Sequence, residues 1–160
     1  MTLPHFSEKA FAVLDAIIWV SRLISQDEFH VAVKSWMEQQ RETGVQFVSP
    51  ALLLAEVGAA ISRRTGDPAL GKRTITLLEN LPGLRLVEMD NELVHEAACL
   101  AAELGLRGAD SIYVAVALQL NLPLVTFDVD QRERAHSRIS IRSIGERTSD
   151  LTEPGASHAV

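Results

Sequence analysis

The chain has a single cysteine, Cys99, among 160 residues, which excludes an internal disulfide framework and a cysteine-based zinc site. Cys99 stands in the helical run EAACLAAEL, where a small buried thiol is expected. Aromatic residues make up only 5% of the chain, so base stacking is not expected to dominate any recognition of nucleic acid. A basic surplus is also missing: 15 Lys and Arg stand against 21 Asp and Glu, for a net charge of −6. That balance argues against a generic nucleic-acid coat protein, because neutralising phosphates takes excess Lys and Arg. It leaves room for an enzyme with a local basic rim, for which Arg63 with Arg64, Lys72 with Arg73, and Arg132, Arg134 and Arg138 are candidates. No apolar run is long and charge-free enough to span a bilayer, and MTLPHFSEKAF has no basic region followed by a hydrophobic stretch. The expected setting is therefore soluble, reducing and cytoplasmic, with no membrane partner. The histidines His5, His30, His95, His136 and His158 lack metal-ligand spacing.

What is present is an alternation of short apolar runs with longer helical patterns, the mark of βαβ units around a parallel sheet. FAVL (11–14) reads as the first strand, followed by helices near 18–24 and 28–41. VQFVS is the second strand, after which Ser49 as cap and Pro50 at the first helical position open ALLLAEVGAAISRRTG. That helix is apolar almost all round, so burial on most sides is expected. Asp67-Pro68 opens a helix to about Leu81, LRLVEM is a third strand, and Asp90 caps a helix that stops at Gly105. A helix from about Ala109 to Asn121, the strand LPLVTF, a helical turn QRERA capped by Asp130, and an edge strand in SRISIRSI complete the pattern. One domain over 1–146 is expected, with a disordered tail over 147–160.

Four acids break the apolar runs. Asp15 is the only charge between Lys9 and Arg22, Glu56 the only one between Glu42 and Arg63, and Asp110 and Asp128 the only two between Arg107 and Asp130. None has an evident cationic partner in its own segment, and a buried carboxylate needs a partner, hydrogen bonds or a metal. Asp15 and Asp128 each follow a strand, where open parallel sheets bind ligands. Asp110 lies in the first turn of a helix and Glu56 inside an otherwise apolar one. Each has a simpler reading as a cap, turn or outward-facing residue, but the four together point to a cluster of hard oxygen ligands suited to Mg²⁺ or Mn²⁺. Tyr113, Phe127, Trp19 and Trp36 are expected mainly in the core or at an interface.

With VLDA at Asp15, SPALLLAEVGAAISRR around Glu56, LRGADSIYVAVAL at Asp110 and LPLVTFD at Asp128, the chain resembles the PIN domain family, and within it the VapC-type ribonuclease toxins. The resemblance implies a three-layer α/β/α domain with a mainly parallel central sheet. It also implies that Asp15, Glu56, Asp110 and Asp128 are catalytic residues binding Mg²⁺ or Mn²⁺, with Asp130 a further candidate ligand, for hydrolysis of RNA. A homodimer and a small antitoxin partner are implied as well. Members of the family often carry a small polar residue two positions after the first Asp; here that position is Ile17. Thr126 or Ser111 is the candidate to support the carboxylates instead. Ile17 also keeps open a catalytically weak or inactive domain that binds RNA or protein. A haloacid-dehalogenase-type phosphotransferase, suggested by Asp128 and Asp130 after a strand, is disfavoured because its nucleophile belongs early in the chain.

Overall fold

A computed structural model describes residues 10–144; the expected tail over 147–160 lies outside the described residues. The strands are β1 (Phe11–Leu14), β2 (Gln46–Pro50), β3 (Leu84–Val87), β4 (Leu124–Val125) and β5 (Ile141–Arg142). The helices are α1 (Ala16–Leu23), α2 (His30–Glu42), α3 (Leu52–Thr65), α4 (Pro68–Glu79), α5 (Asn91–Leu104), α6 (Gly108–Leu120) and α7 (Val129–Ala135). The strands form one sheet in the order β3-β2-β1-β4-β5, with every pairing parallel.

Strand periodicity explains the three layers. Successive strand side chains point to opposite faces, and β1 is apolar at every position, so it can be covered on both. Val13, with its neighbours Val48 and Leu124, packs against Leu93, Ala97 and Leu100 of α5, Ile112 and Tyr113 of α6, and Ala135 of α7. Ala12 and Leu14, with Phe47 and Val125, turn the other way onto α1 to α4 through Ile18, Trp19, Val33, Met37, Leu53, Val57, Ile61 and Leu78. Each large apolar side chain so buried contributes about 1.5–3 kcal/mol. Within that second layer, helices α3 and α4 meet closely at glycines: a Cβ on Gly71 would lie 2.8 Å from the carbonyl oxygen of Gly58.

Several local expectations are corrected. Strand β2 continues through Pro50, which is in register with Val87, and α3 starts at Leu52 with no side-chain cap. The Ser49 hydroxyl is fully buried, donating to the Leu14 carbonyl at 2.7 Å and accepting from Trp19 Nε1 at 3.2 Å. It ties two strands and α1 together instead of capping a helix. Helix α3 buries one stripe, Leu53, Val57, Gly58 and Ile61, rather than most of its circumference, and Ala55 is exposed. Asp128, not Asp130, caps α7, accepting from the Gln131 N–H. Cys99 is exposed, 3.7 Å from His95 Nε2, because its helix turns it away from the core stripe of Leu93, Ala97 and Leu100. The segments read as the third to fifth strands shrink to the residues in ladder register.

Candidate active site

The strand order reverses direction at β1: the chain moves outward through β2 and β3, then returns to place β4 and β5 on the other side. Such a switch point opens a crevice beyond the carboxyl ends of the two strands that flank it, here β1 and β4. Asp15 follows β1 directly and Asp128 follows β4 by three residues. A cleft of about 380 Å³ opens there, lined by Asp15, Ala16, Ile17, Glu56, Asp110, Phe127 and Asp128. The four isolated acids of the sequence thus share one cleft. Asp130 does not line it and instead pairs with Arg134, Nε to Oδ1, at 2.8 Å along α7.

Each carboxylate is held differently. Asp15 caps α1: its Oδ1 accepts from the Ala16 N–H at 2.8 Å and its Oδ2 from the Thr126 hydroxyl at 2.9 Å. Burial pushes the Asp15 carboxyl up from 3.8 to about 7, against those two hydrogen bonds, and the charges of Asp110 and Glu56 add to the rise. Thr126 is itself fully buried and its oxygen accepts from the Asp128 N–H at 3.1 Å, so one hydroxyl joins the segments that follow β1 and β4. Ser111, the other candidate support, donates to the Gly108 carbonyl and reaches no carboxylate.

Glu56 comes from the second turn of α3. Its Oε2 accepts a 2.6 Å hydrogen bond from the buried Tyr113 hydroxyl, one turn beyond Asp110 on α6. Burial raises the Glu56 carboxyl, the Tyr113 bond opposes this, and Asp110 reinforces it. The same burial, with Glu56 alongside, raises the Tyr113 phenol, so it stays a neutral donor. Asp110 also lies above the usual carboxylate range, by burial and by the nearby Asp128 charge, with Arg107 opposing.

Arg107 and Gln131 were not singled out by the sequence, though both act here. Arg107 Nε is 3.4 Å from Asp110 Oδ2, and its terminal nitrogen is 3.5 Å from Asp128 Oδ2. Its place three residues before Asp110 is the spacing at which helix neighbours meet, and that was the available signal. Gln131 is fully buried; its N–H binds Asp128 Oδ1 at 3.0 Å and its side-chain amide donates to the Asp110 carbonyl at 3.2 Å. It fixes α7 against α6 and so sets Asp128 relative to Asp110.

The donors are all carboxylate oxygens, the chemistry that Mg²⁺ and Mn²⁺ prefer. Burial first, and neighbouring acids second, raise the carboxyls of Asp15, Glu56 and Asp110, and a cation beside them would favour their charged forms. Among the described residues no three His, Cys, Asp or Glu side chains are already grouped as a metal site. Hydrogen bonds and Arg107 hold the oxygens to other partners, so the residues fit a divalent cation by chemistry and shared cleft rather than by a preformed cage. Beside the cleft runs a groove of about 410 Å³ between α1 and α3, sharing Ala16, Ile17 and Glu56 with it and ending at Arg63 and Arg64. Phe127 forms part of the cleft wall and stacks on Phe29 with ring centroids 4.6 Å apart.

Known structures share this fold. A VapBC complex of Rickettsia felis, solved bound to a DNA fragment from its promoter, matches with a TM-score of 0.65 at 14% identity, covering 83% of this chain and 98% of that one. A VapC toxin of Mycobacterium tuberculosis that cleaves the sarcin-ricin loop matches at 0.67 and 16%, covering 78% and 94%. The FitA–FitB structure from Neisseria gonorrhoeae gives 0.59 and 19%, covering 81% and 95%. No curated protein matches in sequence. The model of the PIN domain family matches residues 12–137, a span that takes in all four acids of the cleft, and the chain belongs to that family.

Proposed function

We propose that this protein is a divalent-cation-dependent ribonuclease and the toxin of a toxin–antitoxin pair, working as a homodimer and restrained by a small antitoxin. The observation that carries the reading is the convergence of Asp15, Glu56, Asp110 and Asp128 on one cleft at the switch point of the sheet. Family membership and the VapC toxin among the structural neighbours support it.

Asp15, Asp110 and Asp128 would supply most of the oxygens that hold Mg²⁺ or Mn²⁺, with Glu56 binding either the ion or a water beside it. A cation held there activates water towards a phosphodiester and stabilises charge on the departing oxygen. The protein's own groups do the rest. Thr126 keeps one Asp15 oxygen oriented. Glu56, with its raised pKa and one oxygen steadied by Tyr113, would take a proton from the attacking water. Arg63, beside Arg64 that is paired with Asp27 at 2.8 Å, would give the adjoining groove a positive end for the phosphate backbone.

Cleavage of a mixed pool of single-stranded and structured RNAs, in Mg²⁺, Mn²⁺ or EDTA, tests the reading. Cleavage should depend on the cation and vanish in D110N while the variant stays folded. Full activity in D110N would overturn the assignment. The second reading, a domain that binds RNA or protein without cutting, is favoured by one observation: Ile17 presents an alkyl side chain to the cleft, where it can offer no hydrogen bond to the carboxylates. RNA that is retained intact in Mn²⁺ would select it.

A further inference from the structure

Arg107 is oddly placed for a structural residue. It is the residue that precedes α6, yet it makes no capping hydrogen bond. A cation at a helix N-terminus also meets the positive end of the helix dipole, so helix stability does not explain it. Its side chain is 74% exposed but reaches two carboxylates that line the cleft, at 3.4 Å from Asp110 and 3.5 Å from Asp128. Of the other arginine pairs, Arg64 and Arg134 at 2.8 Å and Arg138 at 2.9 Å sit much tighter and Arg73 at 3.8 Å is looser, but each of them meets a single acid, whereas Arg107 meets two. Charge-assisted hydrogen bonds normally settle near those shorter distances. Arg107 is therefore held loosely between two anions that would otherwise face each other with less compensation.

Two cations cannot occupy the same pair of carboxylates at full strength, and linkage requires that each weaken the other's hold. Resting on the cation-dependent reading above, we propose that Arg107 is an internal counter-ion of the cleft. It spans Asp110 and Asp128 until a divalent cation displaces it, and then binds a substrate phosphate at the cleft mouth. The guanidinium suits both roles: it never loses its charge, and its planar fork matches phosphate as well as carboxylate. Its exposure lets the same side chain move between them without unpacking the core.

Isothermal titration with Mn²⁺, without RNA, is the first arm, comparing wild type, R107Q and R138Q. Exposed ion pairs shift an equilibrium by up to about fivefold each, so R107Q should bind Mn²⁺ about 3–10-fold more tightly. R138Q removes an equal charge from an arginine paired with Glu103, outside the cleft, and should change affinity less than about twofold. Equal affinities for wild type and R107Q, or equal effects of R107Q and R138Q, would overturn the counter-ion role. Absence of Mn²⁺ binding in all three proteins would overturn the cation reading itself, and this proposal with it. The second arm measures binding of a single-stranded RNA in Mn²⁺ in an E56Q background. Adding R107Q should weaken it severalfold and flatten the salt dependence by about 0.7 in the log–log slope. An unchanged slope would overturn the phosphate contact.

Discussion

Replacing Asp15 by Asn should make the cation-free protein more stable, and increasingly so as the pH rises. The Asp15 carboxyl is 8% exposed, and its pKa is raised from 3.8 to about 7 by burial first and by neighbouring acids second. Between those values the folded protein keeps a proton that the unfolded chain has released. Raising the pH therefore weakens the fold, by up to about 1.4 kcal/mol per pH unit and about 4 kcal/mol across the interval. The loss is complete above about pH 7. Asn carries no charge to bury but is a poorer acceptor for Ala16 and Thr126 together, a defect of about 1 kcal/mol. Urea denaturation in EDTA should then find D15N within about 1 kcal/mol of wild type at pH 4.5 and about 2–4 kcal/mol more stable at pH 8. Saturating Mn²⁺ should reverse the order at pH 8, because only wild type gains fully from binding. A stability difference that stays constant from pH 4.5 to 8 would refute the reasoning.

Ser49→Ala removes the fully buried hydroxyl that serves the Leu14 carbonyl and Trp19 Nε1, and should lower unfolding free energy by about 1–3 kcal/mol in urea titration. Gly71→Ala forces a Cβ to within 2.8 Å of the Gly58 carbonyl oxygen. The two helices must part, a loss of about 1–3 kcal/mol measurable by thermal unfolding. Tyr113→Phe deletes the donor to Glu56, so at pH 7 it should destabilise the cation-free protein by about 1–2 kcal/mol. The same variant should slow RNA cleavage more than it weakens RNA binding, which single-turnover kinetics can separate.

The layers were legible because apolar runs of strand length alternate with helical patterns, and β1, β2 and β4 are buried on both faces. The glycine ends of α3 and α5 followed from residues that adopt positive φ, 69° at Gly66 and 68° at Gly105. Ser49 misled because a serine before a proline reads as a cap, while its buried hydroxyl answers to a strand 35 residues earlier. Cys99 misled for a similar reason: composition favours burial, but the helical phase set by Leu93, Ala97 and Leu100 leaves it outside.

At the cleft, isolation in charge brought out Asp15, Glu56, Asp110 and Asp128, since an acid inside an apolar run is conspicuous. Their local partners were harder to see. Thr126 was foreseeable as a neighbour of Asp128, and its bond to Asp15 spans 111 residues. Arg107 hid at the boundary of an apolar run, although helical spacing alone would have paired it with Asp110. Tyr113 read as core, and it is core, but its hydroxyl emerges on the cleft side to meet Glu56. Gln131 gave no signal, because a glutamine in QRERA looks like a solvated helix residue until the packing of α7 on α6 buries it completely.

Asp15 just after β1, Glu56 of α3, Asp110 of α6 and Asp128 after β4 are proposed to hold a divalent cation together. Anomalous diffraction from crystals soaked in Mn²⁺ measures this directly. A manganese peak is expected in the cleft, within about 2.1–2.3 Å of an Asp15 oxygen and of at least one oxygen of Glu56, Asp110 or Asp128. Arg107 is expected to have left Asp110 and Asp128. A peak elsewhere, or an empty cleft in crystals of a protein that still cleaves RNA in Mn²⁺, would contradict the shared site.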